Sequence, residues 1–303
     1  MVSLLHNPAV RERLRSLRPY YNKIFRRQRN YAKLPSQKDY LEQMQGRGVF
    51  LLCFGRSGST VFADFLGTHP QVMTFGEVLG EESYYSYFQW LSRGVLRLWP
   101  LRPTLMAREF YRFCAQLVRR KPGMRCLFDI KIESLHLIDG NWRMPGPDFH
   151  LFHHLRDAGV PVILLTRKDL VARYVSGQVA EQRGAYHSYH GASKEVNPFE
   201  IDLAAIRAQV AQIDATHEVI RRVFEGQENF VELAYEDLFV PDGSSGNTRF
   251  APGLSERMAK LMAVEDRFDS VPRLQKVSGD KGYASVITNW DEVETYRVEV
   301  LAR

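Results

Sequence analysis

The chain has 303 residues, 45% hydrophobic and 12% aromatic, enough to bury a substantial core in one α/β domain with excursions. No apolar run approaches the roughly 18 residues that cross a bilayer, and three cysteines are too few for a disulfide scaffold. The formal charge of +6 is modest and spread out, with no aromatic–basic RNA-binding signature or zinc-finger spacing, so a small polyanion accounts for it as well as nucleic acid does.

Residues 1–47 are rich in Arg and lack a signal-peptide core. They read as a basic helical arm, either touching anionic lipid at a membrane periphery or simply solvated. A single domain is expected over 48–303. "VFLLCF" (49–54) is strand-like and leads into a helix from about Thr60, and "QVMTFGE" (71–77) is a second strand. A helix over about 103–121 precedes the strand-like "RCLFDIKI" (125–132), and "DFHLFHHLRDAG" reads as a helix ending at Gly159. The strand "VPVILLT" (160–166), a helix over Asp169–Arg183, a long helix over about 199–224 and the late strand "NFVELAY" complete the series.

Strands that are nearly all apolar and alternate with helices predict a parallel sheet covered on both faces. Cys53 and Cys126 fall in strand-like runs and Cys114 in a helical one, so buried reduced thiols and a reducing cytoplasm are expected. Segments 184–198 and 240–253 break the pattern and read as irregular loops, of the kind that serve as lids or binding loops.

The sharpest local signal follows the first strand. In "GRSGST", Gly55 permits a tight turn, and Gly58 lets backbone N–H groups approach an anion. The following helix aims its free N–H groups and positive dipole end at the same place. Ser57, Ser59 and Thr60 add hydroxyl donors, and Arg56 adds a bidentate cation. A nucleoside-triphosphate loop has the form G-x-x-x-x-G-K-[ST]. This loop is two residues shorter and has no Lys after Gly58, and no strand-terminal Asp suggests itself as a magnesium partner, so magnesium–ATP is disfavoured.

A second anion site is suggested where "VILLT" runs into Arg167. If a helix starts at Asp169, Ser176 lies two turns along on that residue's face, with Arg173 one turn before it.

Together, "GRSGST" and "TRKDLVARYVS" resemble the two nucleotide-binding motifs of sulfotransferases that use 3′-phosphoadenosine 5′-phosphosulfate (PAPS). The resemblance is closest to bacterial carbohydrate sulfotransferases of the nodulation-factor and trehalose types. It covers about residues 48–298 and includes "THPQVMTFGE", "VELAYEDL" and "LQKVSGDKGYASVITNWDEVE". It implies a P-loop-like parallel β-sheet flanked by helices on both faces, the sulfotransferase fold.

The resemblance also implies that Arg56, Ser57, Gly58, Ser59 and Thr60 hold the 5′-phosphosulfate and that Arg167 and Ser176 hold the 3′-phosphate. It implies Lys276 and Lys281 as further nucleotide contacts. The late segment departs from the hormone-type pattern, and Val61 stands where that type has Trp. The implied acceptor is a hydroxyl of a saccharide or glycolipid, with no metal.

Sulfuryl transfer requires donors at the leaving oxygen, which Arg56 and the loop N–H groups can supply, and a base for an alcohol acceptor. Glu77, at a strand end on the loop's edge of the sheet, is the candidate base; Glu81 and Glu82 are nearby, and a Glu opening the next helix is the bland alternative. Lys131 either neutralises the sulfuryl oxygens or holds the acceptor, or it pairs with Asp129 or Glu133. Tyr186, His187 and His190 either line the acceptor pocket or are solvated loop residues. His153 and His154, adjacent on a helix, face different ways and make a poor metal site, and His69 reads as structural.

Overall fold

The computed structural model describes residues 36–80, 83–94, 103–139, 144–183, 196–241, 248–269, 271 and 283–302. Five parallel strands form the central sheet: β1 (Gly48–Cys53), β2 (Val72–Glu77), β3 (Arg125–Lys131), β4 (Val162–Thr166) and β5 (Phe230–Ala234). Their spatial order is β2-β3-β1-β4-β5. This is consistent with the expected P-loop-like α/β arrangement.

β1 is buried along its whole length, and its alternation divides the core in two. Phe50 and Leu52 point into one apolar cluster, and Val49, Leu51 and Cys53 into the other. Such two-sided burial is why the strand reads as continuously hydrophobic rather than alternating.

Helix α1 (Gln37–Met44) opens with a capping box: Ser36 Oγ accepts from the Asp39 amide, and the Asp39 carboxylate accepts from the Ser36 amide. Tyr40, Leu41 and Met44 on this helix are buried in the larger cluster. The packed unit therefore reaches back into the arm expected over 1–47; residues 1–35 of that arm lie outside the described residues.

Helix α2 (Ser59–Leu66) follows β1, and α3 (Tyr87–Gly94) and α4 (Pro103–Arg119) lie between β2 and β3. A short 3₁₀ turn (Ile132–Ser134), α5 (His136–Asp139) and α6 (His150–Asp157) lead to β4. Helices α7 (Leu170–Arg183) and α8 (Leu203–Val223) connect β4 to β5.

The segment read as an irregular loop over 240–253 is instead framed by a two-stranded antiparallel ladder, β6 (Phe239–Pro241) with β7 (Thr248–Phe250). Phe250 packs against Phe65 and Phe239, with ring centroids 4.3 and 5.1 Å apart, which fixes this ladder to the smaller cluster. Helices α9 (Leu254–Met262) and α10 (Trp290–Leu301) close the chain. The second irregular segment, 184–198, is described only from residue 196.

β1 leads by way of α2 to β2 on one side of the sheet, while β3 leads to β4 on the other. The crevice beyond the carboxyl end of β1, between β3 and β4, is thus the topological switch point where open α/β sheets bind ligands.

Candidate functional site

The turn from β1 into α2 lies in that crevice. Arg56 adopts φ 65°, a left-handed conformation that an L-residue rarely takes, and Gly58 follows with φ 83°. Backbone strain of this kind, of order 1–3 kcal/mol, persists where surrounding structure enforces it, and it collects at ligand sites. Gly58 is the N-cap of α2 and offers no side-chain acceptor to the first-turn N–H groups, which leaves them directed at the crevice. A Cβ on Gly58 would collide with the Tyr235 ring, so this glycine is required twice, by its φ and by the aromatic packed against it. Gly55 has a different reason: its amide donates to Glu133 Oε1 at 2.7 Å, and a Cβ there would lie equally close to that oxygen.

Ser57 and Ser59 are buried, whereas Thr60 is exposed. Ser59 Oγ accepts from Lys131 Nζ at 2.6 Å. Lys131 also donates to both oxygens of Asp129 at 2.8 Å, lies 3.2 Å from Glu77 Oε1 and contacts Cys53 Sγ at 3.5 Å. The pairing with Asp129 is therefore present, and so is a direct link to the loop; Glu133 engages Gly55 instead.

Burial by itself lowers the Lys131 pKa, but the Asp129 and Glu77 carboxylates beside it more than reverse this and hold it well above its usual value. Burial, and then the Asp129 charge, push the Cys53 thiol up, so it remains a neutral neighbour and the two carboxylates supply the counter-charge. Asp129, near the end of β3 and paired in register with Leu51 of β1, is expected from the sequence only as a partner of Lys131, and the structure sets it beside the loop as well.

Glu77 owes its place to a β-bulge. The β2–β3 register shifts between Thr74 and Glu77, around Gly76 at φ 67°, and sets Glu77 opposite Asp129. Its side chain is 39% exposed, open to the crevice while paired with Lys131.

The second cluster lies at the β4–α7 junction and joins the first. Arg56 donates from Nε and Nη2 to Ser176 Oγ, both at 3.2 Å. Arg167 Nη1 donates to the Arg56 carbonyl at 3.0 Å, and its guanidinium carbon lies 5.5 Å from the centroid of the Tyr235 ring. The Arg56 side chain thus faces the second cluster although its backbone belongs to the first loop. Glu236 accepts from the Lys168 and Asp169 amides at 2.9 and 3.3 Å and lies 3.8 Å from Arg167 Nε.

Arg173, on the same helix as Ser176, is buried over Phe54 at 5.3 Å, donates to Gln209 Oε1 at 3.1 Å and lies 4.0 Å from Glu133. Burial lowers the pKa of this guanidinium, and Glu133 opposes the shift.

Lys276, Lys281, Tyr186, His187, His190, Glu81 and Glu82 lie outside the described residues. His69 is structural: Nδ1 accepts from the Gln71 amide, which leaves the proton on Nε2 for the Glu265 carbonyl at 2.9 Å. His153 faces Pro147 O and His154 faces the Tyr111 hydroxyl, and no cluster of metal-ligating side chains occurs among the described residues. Cys53, Cys114 and Cys126 are buried and unbridged.

Tyr235 is the residue that sequence reasoning missed; Asp129 and Glu133 were expected only as alternative partners of Lys131. For Asp129 a signal existed: a charged residue inside the apolar run "CLFDIKI", two positions from Lys131 on the same face.

No family model matches the chain, and no curated protein matches it.

Proposed function

We propose that the protein is a sulfotransferase that moves a sulfuryl group from PAPS to a hydroxyl of a saccharide or glycolipid. The observation that carries this reading is the junction between the loop and the cationic cluster after β4: Arg56 reaches Ser176, and Arg167 holds the Arg56 carbonyl. A ligand with two separate anions, one at the loop and one at the β4–α7 junction, suits that surface better than a linear triphosphate.

In this reading the first-turn N–H groups of α2 and the Ser57–Thr60 segment bind the 5′-phosphosulfate, and Arg167 with Ser176 binds the 3′-phosphate. The acceptor oxygen attacks sulfur in line with the departing phosphate oxygen; a new S–O bond forms as the old one breaks. Charge gathering on the phosphate oxygen is met by the loop N–H groups, donors fixed before reaction, while the Arg56 guanidinium, held at Ser176, serves the 3′-phosphate side. The acceptor's proton passes to the Glu77 carboxylate, which Lys131 holds in place.

The alternative of a P-loop kinase with a degenerate loop gains one observation, Asp129 near the end of β3 beside the loop. Calorimetry separates the two. On our reading, 3′,5′-adenosine bisphosphate binds in the absence of magnesium, and Arg167→Ala weakens it by about tenfold or more, roughly 1.4 kcal/mol or more. Absence of any interaction with that nucleotide, or binding of ATP that requires magnesium, overturns it. Transfer from labelled PAPS into a saccharide or lipid extract then identifies the acceptor.

A further inference from the structure

Magnesium-dependent phosphate loops hold their metal between a hydroxyl at the loop and a carboxylate on a neighbouring strand. Here a loop hydroxyl, Ser59 Oγ, one position before the hydroxyl that takes the metal in that motif, and the Asp129 carboxylate on β3 face each other, and the space between them is filled by an ammonium group. Lys131 Nζ lies 2.6 Å from Ser59 Oγ, 2.8 Å from each Asp129 oxygen and 3.2 Å from Glu77 Oε1. Three of the residues around it are oxygen ligands of the kind hard divalent cations take. Two carboxylates surround one ammonium, so the pocket carries more negative charge than the lysine neutralises and matches a doubly charged ion.

We propose that Lys131 is a tethered counter-ion standing in the place of the divalent cation, and that it determines the loop's preference for a metal-free anion. The inference rests on reading the loop as an anion site and adds how that site selects its ligand. A single fixed positive charge suits the less highly charged phosphosulfate, whereas the β- and γ-phosphates of ATP, with their higher charge, call for a divalent ion bridging them. Because the charge is covalently attached, neither dilution nor a chelator removes it.

The test compares the intact chain with Lys131→Ala and with the double variant Lys131→Ala/Asp129→Asn. Manganese binding is read directly by electron paramagnetic resonance, and melting temperature is read with and without manganese. The inference expects Lys131→Ala to bind manganese and to melt several degrees higher in its presence, while the intact chain and the double variant do neither.

With 3′,5′-adenosine bisphosphate, the intact chain binds equally in chelator and in manganese. Lys131→Ala loses about tenfold in chelator and recovers most of it in manganese. A Lys131→Ala protein that binds no manganese, or that stays unfolded in its presence, overturns the inference. So does an intact chain whose nucleotide binding requires a divalent ion. If no form binds the nucleotide but Lys131→Ala binds manganese, the sulfotransferase reading fails and the cation replacement stands.

Discussion

At the scale of single residues, Gly58 is the most constrained position in the site. Gly58→Ala adds a left-handed penalty of roughly 1–2 kcal/mol to a collision with Tyr235. Its melting temperature should fall and nucleotide binding should be lost, while Gly58→Ala/Tyr235→Ala should recover part of the stability, as thermal denaturation would show. The Gly and Ser residues of this loop were legible because their reason is local backbone geometry. Tyr235 and Glu133 were not, because their contacts with Gly58 and Gly55 join residues far apart in sequence, as in the Gly55–Glu133 hydrogen bond spanning 78 positions.

His217 offers a pH test away from the site. Burial, then the Arg221 charge, lowers its pKa to about 4, with Glu232 opposing and Arg173 adding to the shift. The ring packs edge-on to Phe54 at 5.5 Å. Above about pH 6.5 the histidine is neutral folded and unfolded, and it adds no pH dependence. As pH falls from there towards 4, the unfolded chain takes a proton that the folded chain refuses, so stability declines by up to about 3 kcal/mol. His217→Leu should flatten this part of the melting-temperature profile, and an unchanged slope would assign the acid sensitivity elsewhere.

At the scale of elements, the β2 bulge places the candidate base. Nothing lies within 4 Å of a Cβ at Gly76, so Gly76→Ala is disfavoured by its φ of 67° and not by crowding. It should cost roughly 1 kcal/mol and, by shifting Glu77 away from Asp129, lower transfer more than nucleotide binding. Glu77→Gln should keep nucleotide affinity and lose transfer; undiminished turnover would remove Glu77 as base.

The parallel strands were legible because burial on both faces makes them continuous apolar runs. The last helices were harder. Leu254, Met258 and Met262 of α9 recur every four residues, but this short stripe directly follows a Gly/Pro-rich segment whose irregular composition obscures it. In α10 the buried Val293 and Tyr296 are interleaved with charged residues, so no clear period emerges. α1 has its stripe at Tyr40, Leu41 and Met44, hidden behind the basic composition of the residues before it.

At the scale of the whole molecule, the sheet order sets where chemistry can occur, and the helices on its faces set whether the sheet survives. Tyr40, Leu41 and Met44 cover α4 and the larger core cluster. A chain beginning at Gly48 should therefore expose apolar surface, bind a hydrophobic dye and lose cooperative melting, whereas one beginning at Ser36 should melt as a unit. Among the described residues no helix is long and apolar enough to cross a membrane.

Arg56 contributes its backbone to one cluster of the proposed site and its guanidinium to the other, so on that reading the two are energetically linked. Whatever factor an anion at the loop imposes on affinity at Ser176, an anion at Ser176 must impose in return, since linkage is reciprocal. Adenosine 5′-phosphate and inorganic phosphate, titrated together, should depart from independent binding by the same factor whichever is added first. A nucleotide bearing both groups gains an effective-concentration advantage as well, which neither monophosphate inherits.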